Sequence, residues 1–158
     1  HEYYRRKIKR LDQQAGGQKM SEKKKPWIIL MTHGNFGQEV KRSAEMIAGE
    51  LENVYCLSLM EGMDPRNFVE DLKTLLEKAP DDTLILSDLF GGTPSNTSAA
   101  IALQKRYTVL SGLNLPMLIE AEMQRGILEG EELAQDLMQA AKDGVKNIRS
   151  MIKQRKES

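Results

Sequence analysis

From Trp27 onward the chain alternates short apolar runs with amphipathic stretches of helical length, the pattern of βαβ units built around a parallel sheet. Trp27 to Thr32 is the first apolar run and reads as a strand. Behind it Val40, Ala44, Ile47, Ala48 and Leu51 recur at helical spacing, leaving Lys41, Arg42, Glu45 and Glu50 for the water side. Val54 to Leu59 reads as a second strand. Asp64 followed by Pro65 supplies an N-cap and then proline at the first helical position, and Phe68, Leu72, Leu75 and Leu76 make the apolar face of the next helix. Thr83 to Ser87 is nearly continuous in apolar character, which suits a central strand covered on both faces. Thr93 and Pro94 repeat the signal of a cap followed by proline and predict a helix to about Lys105, after which Tyr107 to Ser111 is a fourth strand. Residues 115–125 and 131–142 are helical by period, with Leu133, Leu137, Ala140 and Ala141 inward. Residues 145–152 fit either a continued helix or a last, antiparallel edge strand.

The implied architecture is a doubly wound α/β sheet in the order 2-1-3-4 with helices on both faces, formed by one domain over residues 26–158. The 158 residues carry 23 basic and 23 acidic side chains, but the balance is uneven along the chain. Residues 1–25 hold nine Lys/Arg against three Asp/Glu, so the remainder is acidic by about six charges. An acidic body argues against nucleic acid as a partner of the folded domain, because phosphate backbones need a basic face. Residues 1–25 read as a basic, flexible leader left by an expression vector or disordered, with the polar run Gln13 to Lys19 as a linker and Met20 as the natural start. No apolar stretch nears the roughly 20 residues of a bilayer span, and the expected location is cytoplasmic. Cys56 is the single cysteine; it cannot form an intramolecular disulfide and reads as a small buried hydrophobe.

His33 closes the first strand and opens the segment His33-Gly34-Asn35-Phe36-Gly37; the only other histidine is His1. The carboxyl ends of strands are where open α/β sheets gather their chemistry. Asp88 closes the third strand, and in the order 2-1-3-4 the two strands are neighbours, so the side chains are expected to meet. A carboxylate on one ring nitrogen fixes the tautomer and turns the lone pair of the other nitrogen outward. The plainer alternatives are a solvated turn histidine and a turn aspartate. Helices starting near Phe36 and at Pro94 are expected to point unpaired N–H groups into the same crevice, which favours an anion. Gly34, Gly37, Gly91 and Gly92 let backbone approach a phosphoryl group closely. Thr93 has two roles open to it, donating to a phosphoryl oxygen and capping its helix.

Other chemistries lack their residues. There is no P-loop, no Gly-x-Gly-x-x-Gly run, no zinc signature and no Gly-x-Ser-x-Gly elbow, and Ser87 lies within a strand. A receiver-type aspartate site needs adjacent carboxylates for Mg²⁺, and His33 has none beside it in the chain. A histidine nucleophile working without metal or cofactor remains.

Three segments, Trp27 to Gly37, Asp88-Leu89-Phe90-Gly91-Gly92-Thr93-Pro94-Ser95-Asn96 and Gly112-Leu113-Asn114-Leu115-Pro116-Met117, resemble in order and spacing the mannose-family IIA component of the bacterial sugar phosphotransferase system. The resemblance covers roughly residues 27–140. It implies a phosphotransferase in which His33 accepts a phosphoryl group from phospho-HPr on Nε2 and passes it to a IIB component during sugar uptake. Asp88 is implied as the carboxylate that orients His33, and Thr93 as a hydroxyl near the phosphoryl group. The candidate phosphoryl-binding set is Gly34, Asn35, Phe36, Gly91, Gly92 and Thr93. Phe36, Leu89, Phe90, Leu115 and Met117 are candidates for a docking rim or for ordinary packing. The resemblance further implies a homodimer, with residues 144–152 as a strand exchanged between subunits, and indirect association with a membrane permease. A regulatory phosphohistidine module and a phosphocarrier serving a dihydroxyacetone kinase are the alternatives. The sugar is not legible, because such a component handles only phosphate.

Overall fold

The computed structural model describes residues 2–15 and 25–157. Strands β1 (Ile28–His33), β2 (Val54–Leu59), β3 (Leu84–Ser87) and β4 (Thr108–Ser111) form one parallel sheet in the order β2-β1-β3-β4. The helices are α1 (Glu2–Ala15), α2 (Phe36–Ala48), α3 (Pro65–Leu76), α4 (Thr93–Ala99), α5 (Leu115–Gln124), α6 (Gly130–Asp143) and α7 (Ile148–Glu157). The expected order of strands is therefore the observed one, and the winding direction reverses between β1 and β3.

Period-two alternation divides β1 between two cores. Ile28 and Leu30 pack with Val40, Ala44, Met117, Leu118, Leu133 and Leu137 beneath α2, α5 and α6. Ile29 and Met31 face the other way, onto Phe68, Leu72, Ile85 and Ile101 beneath α3 and the segment after α4. All four β1 side chains are fully buried, and each contributes about 1.5–3 kcal/mol of transfer free energy. Asp64 caps α3 as expected, its Oδ1 accepting from the Arg66 N–H at 2.9 Å. Cys56 is half-buried against the first core, and burial pushes its thiol pKa up, which suits a packing role.

Arg125 is the charged residue that the pattern of α5 and α6 did not single out. It is buried, donates to the carbonyls of Pro26 at 2.9 Å and Glu52 at 2.6 Å, and pairs with Glu122. One guanidinium thus ties together the segments leading into β1 and β2. Burial presses its pKa down while Glu122 works in the opposite direction.

At three places the structure goes beyond or departs from what the sequence pattern gives. α4 ends at Ala99 instead of continuing to about Lys105. Its sequence, TPSNTSA, is poor in helix formers, Ser98 Oγ donates back to the Ser95 carbonyl at 2.8 Å, and the chain then proceeds through tighter i to i+3 bonds from Ile101, Ala102 and Gln104. The segment left open between helix and edge strand contains α7, whose entry is capped by Asn147 Oδ1 accepting from the Ser150 N–H at 3.1 Å. Residues 2–15, expected to be flexible, form α1: Tyr4 packs against the first core and Lys7 Nζ donates to Glu120 Oε2 at 2.5 Å, one turn apart on the same helical face. Most of the expected linker, residues 16–19, lies outside the described residues. No helix among the described residues is long and apolar enough to cross a membrane.

Candidate functional site

Because β1 and β3 are adjacent and in register from Ile28 opposite Leu84 to Met31 opposite Ser87, their carboxyl ends bring His33 and Asp88 together. Asp88 Oδ2 accepts from the backbone N–H of His33 at 2.9 Å and lies 3.0 Å from ring Nδ1; Oδ1 lies 3.2 Å from Nδ1 and accepts from the Leu89 N–H at 2.8 Å. An ionised carboxylate can only accept, so Nδ1 is the donor, and in the neutral ring Nε2 carries the lone pair. The His33 side chain is 48% exposed, whereas that of Asp88 is 15% exposed. The ring edge that carries Nε2 is the one the carboxylate does not hold.

The walls of this site come from the two loops at the switch point. Gly34 turns the chain out of β1 at φ +54 and donates its N–H to Leu59 O at 2.9 Å. Asn35 is the N-cap of α2 without a side-chain cap bond, and Phe36 begins the helix. The Gly37 N–H is already used, donating to the buried hydroxyl of Thr32 at 2.9 Å. α2 therefore offers fewer free donors to the crevice than its position suggested. Gly91 takes φ +85, a left-handed conformation that favours glycine, and its loop is fastened by its own N–H donating to Ser95 Oγ and by Asn96 Nδ2 donating to its carbonyl.

The cap of α4 differs from the expectation. Gly92 is the N-cap and Thr93 the first helical residue, with Pro94 second, so Thr93 does not cap this helix. Proline is tolerated at either place because the N–H groups of the first turn lack intrahelical acceptors. The Thr93 hydroxyl is left free for the other role open to it. Gly92 lies directly against the imidazole: a Cβ built there would stand 2.9 Å from Cε1 and 3.3 Å from Nε2 of His33. The expected site residues thus gather as one group, His33 with Asp88 and Gly92 in contact and Gly34, Asn35, Phe36, Gly91 and Thr93 adjoining them in the chain.

Three of the five candidates for a docking rim lie at the surface. Phe36, Leu89 and Phe90 are exposed, Phe90 to 83%, as a docking rim requires. Two of the five rim candidates are not part of it: Met117 is buried and Leu115 packs against the first core, because the inward face of α5 continues to its first turn. Met60 is a further exposed apolar residue, one that sequence reasoning missed. It is exposed and follows Leu59, the register partner of His33 on β2, so the strand order was the signal that located it.

A family model described as PTS system fructose IIA component matches residues 27–147. The mannose-specific EIIAB component of the phosphotransferase system of Escherichia coli K12 is 32% identical over 127 residues, covering 78% of this chain and 39% of that protein. The chain spans about two-fifths of the length of that relative. The fructose-specific EIIA component of Bacillus subtilis is 32% identical over 130 residues, covering 80% of this chain and 82% of its own length. Among solved structures, the phosphotransferase system component EIIA of Streptococcus agalactiae superposes with a TM-score of 0.73 at 34% identity, covering 78% of this chain and 98% of that one.

Proposed function

This chain belongs to the family of PTS system fructose IIA components, and from that premise we propose that it is a phosphocarrier of a sugar phosphotransferase system. His33 Nε2 attacks the phosphorus of a phosphohistidine on an HPr-type carrier; the new N–P bond forms as the donor's N–P bond breaks, and the donor imidazole leaves. The reverse geometry passes the same group to a histidine or other acceptor on a IIB component. The observation that carries this reading is the double hold of Asp88 on His33, which leaves Nε2 as the ring nitrogen without a carboxylate partner, on a side chain 48% exposed.

Phosphoryl transfer of this kind proceeds through a loose transition state in which positioning and charge stabilisation supply most of the catalysis. The Asp88 carboxylate keeps the Nδ1 proton in place as charge develops on the ring. The N–H groups of Thr93 and Ser95, at the start of α4, and the Thr93 hydroxyl are donors for the equatorial oxygens, while Gly34, Asn35, Phe36 and Gly91 shape the adjoining loops. No step requires a metal or a cofactor.

The open site with its rim of Phe36, Met60, Leu89 and Phe90 suits a macromolecular donor better than a small substrate held in a closed pocket. Homodimerisation is supported by β4 ending the sheet and by the exposed apolar residues Val145, Ile148, Met151 and Ile152 beyond α6. Association with a membrane permease is indirect, through IIB, and places the protein in the cytoplasm.

Incubation with phosphoenolpyruvate, Enzyme I and HPr, followed by intact mass and peptide mapping at alkaline pH, tests the reading. One acid-labile phosphoryl group on His33, absent from His33→Ala, is expected. No adduct, or one on another residue, overturns it.

A further inference from the structure

Gly92 has φ −83 and ψ 171, backbone that any L-residue adopts, so its conformation does not call for glycine. Its surroundings do. The Cβ of any other residue would stand 2.9 Å from His33 Cε1 and 3.3 Å from Nε2, well inside the roughly 3.5–4.0 Å of optimal contact. The neighbouring glycine is the contrast: Gly91 sits at φ +85, and a Cβ there meets nothing within 4 Å. One glycine answers to the backbone and the next to the imidazole.

The ring can yield only by leaving its carboxylate, toward the solvent that reaches its 48% exposed side chain. Its Nδ1 edge lies 3.0 Å from Asp88 Oδ2, and that carboxylate is itself fixed by the N–H groups of His33 and Leu89. We infer that Gly92 is a positioning residue for the reaction of His33: its bare backbone and the Asp88 carboxylate form a slot that sets the plane of the imidazole, and a side chain at position 92 drives the ring off Asp88. Displacement costs the tautomer as well as the aim, because a ring parted from the carboxylate no longer holds its proton on Nδ1. The effect on rate rests on the phosphocarrier reading, whereas the slot is a property of the folded chain.

Gly92→Ala tests this with two readouts. In ¹⁵N spectra of the histidine ring, the wild-type chain shows the Nδ1-protonated form, and the variant is expected to show a mixture of tautomers. In transfer from phospho-HPr the variant loses kcat, on the order of 10²-fold, with KM little changed. A melting-temperature cycle with His33→Ala covers a variant that folds poorly: without the imidazole the Gly92→Ala change is expected to cost nothing. A wild-type ring spectrum in Gly92→Ala, or a melting cost that persists in the His33→Ala background, overturns the slot. If wild-type His33 takes up no phosphoryl group while Gly92→Ala still perturbs the ring, the phosphocarrier reading fails and the slot stands.

Discussion

Asp88 grips His33 at two points, the backbone N–H at 2.9 Å and the ring Nδ1 at 3.0 Å, with a single carboxylate oxygen. The strand end and the imidazole are thereby fixed to the same atom, so the side-chain torsions of His33 follow from the pairing of β1 with β3.

Asp88→Asn cannot serve all three donors: with its oxygen toward the His33 N–H and Nδ1 the amide nitrogen opposes the Leu89 N–H, and turned round it sets an amide donor beside Nδ1. In the second orientation the favoured tautomer carries its proton on Nε2, where the attacking lone pair belongs. We expect the fold to be kept, with some loss of stability, and phosphoryl acceptance slower by about 10²-fold or more, measured as initial rates from phospho-HPr. Full-speed transfer would sink the orienting role of the carboxylate.

Phe90 is 83% exposed and packs little against its own protein. Phe90→Ala is expected to leave thermal stability within error and to raise KM for phospho-HPr by roughly tenfold at constant kcat, the signature of a lost contact made equally in ground and transition states. A fall in kcat with KM untouched would assign Phe90 to the chemistry instead of to docking.

Thr32 is fully buried, and its hydroxyl accepts from the Gly37 N–H at 2.9 Å. Thr32→Val keeps the shape and strands that donor, so a loss of about 1–3 kcal/mol in denaturant unfolding is expected. The space leaves no easy remedy, since a Cβ at Gly37 would stand 3.0 Å from the same hydroxyl oxygen. A variant as stable as the parent would show that the α2 N-terminus finds its acceptor elsewhere.

Glu120 and Asp136 form an acid pair beneath Lys7. Burial raises the Asp136 pKa and the Glu120 charge raises it further; for Glu120, burial acts upward but the hydrogen bonds from Lys7 and Gln124 outweigh it and hold the group low. A folded pKa above the unfolded value of 3.8 means that ionised Asp136 costs stability at neutral pH, a cost that vanishes once the pH falls below 3.8 and the group is protonated in both states. Asp136→Asn is therefore expected to raise the melting temperature at pH 7 and to match the parent near about pH 3. A lower melting temperature at pH 7 would show that Asp136 is there as a favourable anion.

The sheet was readable because strands buried on both faces leave unbroken apolar runs, and β1 and β3 are the clearest in the chain. Adjacency of His33 and Asp88 then followed from strand order alone. What escaped the sequence was settled by single contacts across long separations. Arg125 looks like one more polar residue until the carbonyls of Pro26 and Glu52 surround it. Met117 and Phe90 are both large and apolar, and only the inward face of α5 decides which is core. The cap at α4 slipped by one residue because proline fits the first and the second helical position alike. Met60 lay just past a strand end, and the register of β1 with β2 was needed to see that it follows the strand partner of His33.

The separation of 55 positions from His33 to Asp88 also sets an order of events during synthesis. His33 leaves the ribosome first, and its ring stays without a carboxylate partner until β3 has been made and docked along β1. The Asp88 contact arrives with the third strand. Under the proposed function, a chain broken off between the two residues carries the histidine without the carboxylate that orients it, so incomplete copies are expected to draw little phosphate away from whole ones.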